Sequence, residues 1–281
     1  MSKKLYTISD IHTEFLTKAQ IDILLNLILK KDNSILICSG DIGLLNNIDN
    51  INKYKQFLLG LGTKFDHIVY IIGNHEYYYN SFEVTNNITK ELCAVFNKQS
   101  ALNAEEQSSV EFPNKYNLLI NESVIIDNYK FYGTTLWSKP LTQSDTTNCI
   151  YLILDFKRSI KYYNDEYEKN KLWLTDQINN LNNSYDNIII THHLPSYELI
   201  QPQYKIYKEL NSFFASDLDE LIKDPIKCWI YGHTHNRFIK KINNIMTIVN
   251  PLGYINESGS LMNNHIKFHR KIDDLLLEIE Y

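Results

Sequence analysis

The sequence predicts an α/β fold, because short apolar runs alternate with amphipathic segments in its N-terminal part. Five runs rich in Ile, Val, Leu and Tyr are typical of strands buried on both faces, at residues 4–8, 34–38, 67–72, 187–190 and 227–231. Between the first three lie segments 17–31 and 49–61, in which apolar residues recur every three or four positions. This alternation predicts parallel strands joined by right-handed helical crossovers.

The remaining elements follow from the same patterns. A helix is predicted over 82–96 and a polar loop over 97–113. Short strands are expected at 117–120, 123–126 and 129–132, and closing antiparallel strands at 238–242, 245–249 and 275–279. Segment 138–186 indicates a loop followed by helices at 151–163 and 166–181. Because no linker or repeat divides the chain, we predict a single domain over 1–281 with a lid or cap insertion at 138–186.

Composition excludes several classes of protein. The chain has 281 residues, 28 Lys and Arg against 33 Asp and Glu, and a net charge of −5, which excludes a disulfide mini-protein and a disordered tail. Nucleic acid is a disfavoured partner, because a mildly acidic chain lacks the basic face that a polyphosphate backbone requires. The widely spaced Cys38, Cys93, Cys149 and Cys228 are expected to be reduced. No signal-peptide core or membrane-spanning run is found, which predicts a cytoplasmic location without membrane attachment.

Residues that bind metals follow each of the five main strands. The segments are Ser9-Asp10-Ile11-His12, Ser39-Gly40-Asp41, Gly73-Asn74-His75-Glu76, Thr191-His192-His193 and Gly232-His233-Thr234-His235. Because ligands gather beyond the carboxyl ends of strands in open α/β sheets, a single site can collect all five segments. A mixture of imidazoles, carboxylates and one asparagine amide suits Mn, Fe, Zn or Ni better than Ca or Mg. The sequence therefore predicts a transition-metal site.

The spacing of these residues indicates how ions are shared. Two pairs are separated by a single position, Asp10 with His12 and His233 with His235, so the members of each pair face the same side if the strand continues. Asp41 has two carboxylate oxygens and is suited to bridge two ions. Asn74 supplies a neutral oxygen, which leaves positive charge for a phosphate substrate.

The five segments, in this order over residues 10–235, resemble the pattern D-x-H, G-D, G-N-H-E/D, H and G-H-x-H of the calcineurin-like metallophosphoesterase superfamily. The resemblance extends to segments 133–137, 155–158, 191–195 and 250–254, which look like a bacterial and viral subgroup. It implies a four-layer αββα sandwich of two mixed β-sheets flanked by helices. In that fold the C-terminal strands form the second sheet.

The resemblance also implies a role for each site residue. The first ion would be held by Asp10, His12, Asp41 and His235, and the second by Asp41, Asn74, His192 and His233. Mn is the first choice for both ions, and Fe, Zn and Ni are alternatives. A hydroxide between the ions would attack phosphorus, and His75 would protonate the leaving group. Either Glu76 or Asp10 would orient His75.

Three further residues are candidate substrate contacts, each with an alternative. His193 either takes part in catalysis or supports its neighbour His192 structurally. Tyr77 either stacks on a substrate base or packs against the body of the protein. Arg158 either binds phosphate or forms a surface ion pair.

The predicted function is hydrolysis of a phosphomonoester or phosphodiester that is a small molecule or a nucleotide. Alternatives are a non-catalytic scaffold of the same fold that binds protein partners, a nuclease, and a protein Ser/Thr phosphatase. The scaffold is disfavoured because all seven ligands and His75 are present. The protein phosphatase is disfavoured because segment 40–46 lacks the arginine of that branch's G-D-x-V-D-R-G pattern. The sequence leaves the oligomeric state open.

Overall fold

Two β-sheets form the centre of the fold in a computed structural model that describes residues 2–105, 115–139, 160–254 and 276–279. In chain order the strands are β1 (Lys4–Ile8), β2 (Ser34–Ser39), β3 (His67–Ile71), β4 (Tyr116–Leu118), β5 (Glu122–Ile126), β6 (Tyr129–Thr134), β7 (Asp186–Thr191), β8 (Ile226–Ile230), β9 (Phe238–Ile242), β10 (Ile245–Val249) and β11 (Leu277–Glu278). The first sheet has the order β11-β1-β2-β3-β4 and the second β5-β6-β7-β8-β10-β9. Both are mixed, because β11 is antiparallel to β1 in the first, and β5 and β9 are antiparallel to their neighbours in the second.

Helices cover the outer faces of the sheets. They are α1 (Lys18–Leu27), α2 (Ile48–Gly62), α3 (Asn74–Tyr77), α4 (Phe82–Glu105), α5 (Ile160–Asn179) and α6 (Lys208–Asn211). Helix α1 begins at a capping box, in which the Thr17 and Gln20 side chains each accept a hydrogen bond from the other's backbone N–H. None of the helices in the described ranges combines enough length and apolar character to cross a lipid bilayer.

Three buried clusters show that the architecture has four layers. Along β1 to β3, alternate residues point to opposite faces: Tyr6, Leu36 and Ile68 join a cluster with α1, α2 and α4. Their neighbours in sequence belong to a second cluster between the sheets, together with residues of β6, β7 and β8 such as Phe131 and Ile188. The third cluster packs β6 to β8 against α5 and the segment that follows β7. The predicted four-layer sandwich is therefore confirmed.

The five main strands and the first two helices lie where the sequence predicts them, but four other expectations were wrong. Helix α4 runs on to Glu105 instead of yielding to a loop at 97, because residues 97–105 contain no Gly or Pro and Asn97 bonds both backbone groups of Tyr116. The two helices predicted over 151–181 are, within the described residues, one helix. The last strand, β11, pairs with β1 in the first sheet instead of joining the second. Moreover, β10 is parallel to β8, although it is antiparallel to β9.

The 138–186 segment is only partly described, because residues 140–159 lie outside the described ranges. Its helix α5 contributes Tyr163 and Tyr167 to the first cluster and Leu174 and Ile178 to the third. The described part of the segment therefore packs on the body of the protein. The single domain with a lid or cap stays a prediction.

The loops that follow β1, β2 and β3 are tied to one another by their backbones. Asp10 N–H donates to the Gly40 carbonyl at 3.1 Å, and Ile11 N–H donates to the Asp41 carbonyl at 2.8 Å. The fully buried Glu76 then accepts four backbone N–H groups, from Asp41, Ile42, Gly43 and Gly73, at 2.7–3.2 Å. Burial and the charge of Asp41 raise the pKa of Glu76 to about 8, and the backbone donors act in the opposite direction. Glu76 thus holds the second and third loops together.

We expect Glu76→Ala to lower the free energy of unfolding by about 4 kcal/mol, because it leaves four buried N–H groups without an acceptor. Glu76→Gln should be destabilised less, since one carbonyl oxygen remains. Urea denaturation of both variants checks this order. The exposed Glu91 on α4 offers a control, for which Glu91→Ala should change stability by no more than about 0.5 kcal/mol. A Glu76→Ala protein as stable as the Glu91→Ala control would contradict the role of Glu76.

Candidate metal centre

The predicted ligands converge although they come from both sheets. One group comprises Asp10, His12 and His235, and another comprises Asp41, His192 and His233; within each group the ligand atoms lie within 4.8 Å of one another. Asn74 joins the second group, because its Oδ1 lies 2.8 Å from Nε2 of His192. All seven side chains predicted from the sequence are therefore brought together.

Asp41 lies between the two groups. Its Oδ1 is 3.3 Å from Nε2 of His192, whereas its Oδ2 is 3.9 Å from Nε2 of His12. One oxygen therefore faces each group, as a bridging carboxylate requires. The backbone N–H of His75 also donates to Oδ1 at 2.9 Å, which holds the carboxylate in this orientation.

The backbone at four of the ligands is left-handed and not extended as the spacing predicted. Asp10, His12, Asp41 and His233 all have positive φ, between 52° and 65°. The strands therefore do not continue through these pairs, and the expectation that an extended backbone would align them was wrong. Left-handed backbone at non-glycine residues is unfavourable and is concentrated at functional sites, where the surrounding structure holds it.

The donor atoms fit a metal site in their chemistry. Nδ1 of His192 donates to the Ser39 carbonyl at 2.9 Å, which directs Nε2 toward Asn74 and Asp41. Burial alone would lower the pKa of His192, but the Asp41 carboxylate raises it to about 9, so a cation would replace a proton there. Nε2 of His233 is buried and has no hydrogen-bond partner among the described residues. Burial and the nearby histidines lower the pKa of His233, which keeps it in the neutral form that binds metals.

Two glycines allow the loops to approach so closely. Gly40 has a φ of 90°, and a Cβ there would lie 2.6 Å from Nδ1 of His192. A Cβ on Gly73 would overlap with Oδ1 of Asp41 and lie 2.8 Å from Cε1 of His192. Gly40 and Gly73 therefore occupy positions without room for a side chain.

His75 lies beside the two groups and is oriented by a residue that sequence analysis missed. Its Nδ1 is 2.7 Å from Oε1 of Glu14, and its Nε2 is 3.3 Å from the hydroxyl of Tyr254. Burial would raise the pKa of Glu14, but hydrogen bonds from His12 and His75 lower it to about 2. Glu14 is therefore an anion held between two histidines. His75 also belongs to a third group of possible ligands, with His12 and Asp41.

This arrangement corrects the expected partner of His75. Glu76 is occupied by backbone N–H groups. The Asp10 carboxylate accepts from the Ser9 hydroxyl and, at 3.0 Å, from the backbone N–H of His233. Among the described residues, neither carboxyl group forms a hydrogen bond with the His75 ring. The only signal for Glu14 in the sequence is an acidic residue two positions after His12, and the Thr13–Phe15 turn is what directs it toward His75.

A cavity of about 710 Å³ opens above the centre. Its floor includes Asp41, Asn74, His75, His233 and His235. Its walls carry aromatic rings, from Tyr78, Tyr204, Tyr207, Phe214 and Tyr254. A substrate bound in the cavity can therefore contact these rings.

Neither of the two candidate substrate contacts that the structure describes, Tyr77 and His193, lines this cavity. Tyr77 is buried, where its hydroxyl donates to Asn86 at 2.8 Å and its ring packs on Phe82 and Trp137, which favours the packing alternative over stacking on a substrate. His193 is fully buried with its ring 4.2 Å from that of His233, which favours the structural alternative. Arg158 lies outside the described residues. The neighbouring Tyr78 does line the cavity, and its hydroxyl accepts from Asn74 at 2.6 Å.

Comparisons with known proteins agree with this geometry. The chain is 32% identical over 301 residues to "Uncharacterized protein L509" of Acanthamoeba polyphaga mimivirus, across 96% of this chain and 97% of that protein. Its fold is similar to the crystal structure of phosphopantetheinyl hydrolase from Mycobacterium tuberculosis, with a TM-score of 0.63, 13% sequence identity, and coverage of 99% and 96% of the two chains. At that identity the likeness concerns the fold alone. Residues 3–237 match the sequence profile described as calcineurin-like phosphoesterase, and the chain therefore belongs to the calcineurin-like phosphoesterase family.

Proposed function

We propose that this protein hydrolyses a phosphomonoester or phosphodiester with two divalent metal ions, of which Mn is our first choice. The observation that carries the proposal is the Asp41 carboxylate, which presents one oxygen to each of two groups of metal-binding side chains. A site for a single ion would not need the second group. Two ions held there would supply Lewis acidity to the phosphoryl oxygens and lower the pKa of a bound water.

The geometry supports an assignment of ligands to each ion. Asp10, His12 and His235 would hold the first, with Nε2 of His12 and Nε2 of His235 already 3.1 Å apart. Asn74, His192 and His233 would hold the second. Asp41 would bind both. The result is a centre with only two carboxylates among seven ligands, so that two dications would leave it positive toward a phosphate.

His75 is suited to give a proton to the departing alcohol. Its Nδ1 faces the Glu14 carboxylate, so this nitrogen carries one proton, and an imidazolium carries its second proton on Nε2. His75 lines the cavity, and its Nε2 lies 4.0 Å from Oδ2 of Asp41. A leaving-group oxygen above the centre would thus lie within reach of that proton.

Purified protein stripped with a chelator should lose its activity toward bis-p-nitrophenyl phosphate and recover that activity when Mn is added. Each protein molecule should then bind two Mn ions. Asn74→Ala should weaken binding of one equivalent at least about tenfold, because it removes one ligand of the second ion only. Calorimetric titration with Mn measures both affinities.

The control for this titration is Asn52→Ala, on the exposed face of α2, which should bind Mn as the unaltered protein does. A folded protein that binds no metal and hydrolyses no mono-, di- or cyclic phosphate ester after reconstitution would refute the proposal and favour the scaffold alternative.

A second prediction isolates the proton donor. His75→Ala should lower kcat for an alkyl phosphate by about 100-fold or more, but much less for p-nitrophenyl phosphate, whose leaving group departs without protonation. Glu14→Gln should lower kcat for the alkyl phosphate by about tenfold, since it leaves His75 without the Glu14 anion as a partner. Steady-state kinetics on the two esters measures the difference.

Metal content, measured alongside, separates proton transfer from ligand loss, because Glu14 also contacts His12. Glu91→Gln, an exposed change of the same type, provides the control and should leave kcat for both esters unchanged. An equal loss on both esters would mean that His75 does not protonate the leaving group.

A further inference from the structure

We propose that Tyr204 and Tyr207 bind an uncharged aromatic ring on the alcohol part of the substrate, so that this protein acts on phosphate esters of aromatic-ring-bearing alcohols. The inference rests on the proposed function, because it takes the centre below the cavity to hold the phosphoryl group. It specifies the chemical class of the alcohol to which the phosphoryl group is bonded.

The local backbone places the two tyrosines on one side of the loop after β7. Tyr204 N–H donates to Gln201 at 2.9 Å, Tyr207 N–H to Tyr204 at 3.0 Å, and Leu210 N–H to Tyr207 at 2.9 Å. All four of these residues line the cavity, whereas the intervening Lys205 and Ile206 do not. The loop therefore turns a stripe of two aromatic rings, one apolar side chain and one amide toward the cavity.

Both rings are available to a ligand. Tyr204 is 50% exposed and Tyr207 is 51% exposed, and neither contacts another aromatic ring within the described part of the chain. Half-exposed rings on the wall of a cavity offer flat apolar faces on which another ring can stack.

The aromatic surface continues down to the metal-binding side chains. The Phe214 ring stacks on that of His233, with centroids 5.1 Å apart at 29°, and the Tyr78 ring lies 4.5 Å from that of His75. Aromatic side chains therefore lie beside the metal-binding side chains as well as on the loop after β7.

Charge favours an uncharged occupant. Among the described residues that line the cavity there is no Lys or Arg, and the one carboxylate, Asp41, lies on the floor. A second phosphate or a carboxylate on the alcohol part would find no cationic partner there. Side-chain amides of Gln201, Asn211 and Asn236 do line the cavity and suit the heteroatoms of a neutral ring.

Titration calorimetry of the Mn-loaded protein with benzylphosphonate and ethylphosphonate tests the inference, because the two ligands differ in the ring and neither has an ester bond. We expect benzylphosphonate to bind at least about tenfold tighter. Tyr204→Ala and Tyr207→Ala should each lower the affinity for benzylphosphonate about three- to tenfold and leave the affinity for ethylphosphonate unchanged.

The matched control is Ile206→Ala, which changes a 75% exposed side chain between the two tyrosines that does not line the cavity. It should leave both affinities unchanged. Equal affinities for the two phosphonates, or tyrosine variants that behave as Ile206→Ala does, would overturn the inference.

Hydrolysis measured in parallel keeps this inference apart from the proposed function. Preferential binding of benzylphosphonate without hydrolysis of any ester would uphold the aromatic site and refute the hydrolase. Hydrolysis of an ester together with equal affinities for the two phosphonates would uphold the hydrolase and refute the aromatic site. Where both hold, a higher kcat/KM for adenosine 5′-phosphate than for benzyl phosphate identifies a nucleoside as the alcohol, and the opposite order identifies a simpler aromatic alcohol.

Discussion

The carboxylate of Asp41 is the constraint around which the centre is organised. It presents Oδ1 to His192 and Oδ2 to His12, so its position decides whether the two groups of side chains act as one site. That position is set by backbone contacts rather than by its own packing. The His75 N–H donates to its Oδ1, and the buried carboxylate of Glu76 accepts its backbone N–H. A buried anion at this point stays ionised because histidines surround it, and they lower its pKa well below the usual range against the effect of burial.

The two sheets contribute different halves of the centre. Asp10, His12, Asp41 and Asn74 follow strands of the first sheet, whereas His192, His233 and His235 follow strands of the second. The apolar cluster between the sheets therefore sets the separation of the ligands. Where the two halves meet, Gly40 and Gly73 leave room for His192, and left-handed backbone at several ligands turns their side chains inward. Local strain and tight packing are combined here, as expected where a fold holds functional groups in a fixed arrangement.

An acidic protein that handles phosphate must attract it locally. With a net charge of −5 the chain has no general attraction for anions, and the described cavity walls carry no Lys or Arg. Two metal ions at the floor would supply the positive charge, and the aromatic walls would interact with the uncharged remainder of the substrate.

Much of this could be read from the sequence because the information is local. Apolar runs identified the main strands, and the polar segments directly after them indicated where a site would form, since ligands gather beyond the carboxyl ends of strands. The resemblance to the calcineurin-like superfamily then singled out, within those segments, the seven side chains that converge. Tertiary structure alone decided the rest. Glu14 reaches His75 through a turn that sequence periodicity does not predict. Tyr77 is buried whereas its neighbour Tyr78 lines the cavity, because the short helix α3 ends at Tyr77 and the backbone of Tyr78 is extended. Contacts between residues distant in the chain decide two further features, the extent of α4 and the pairing of β11 with β1. Successive turns of the backbone place Tyr204 and Tyr207 on one side of their loop. Composition and spacing specify neither kind of contact.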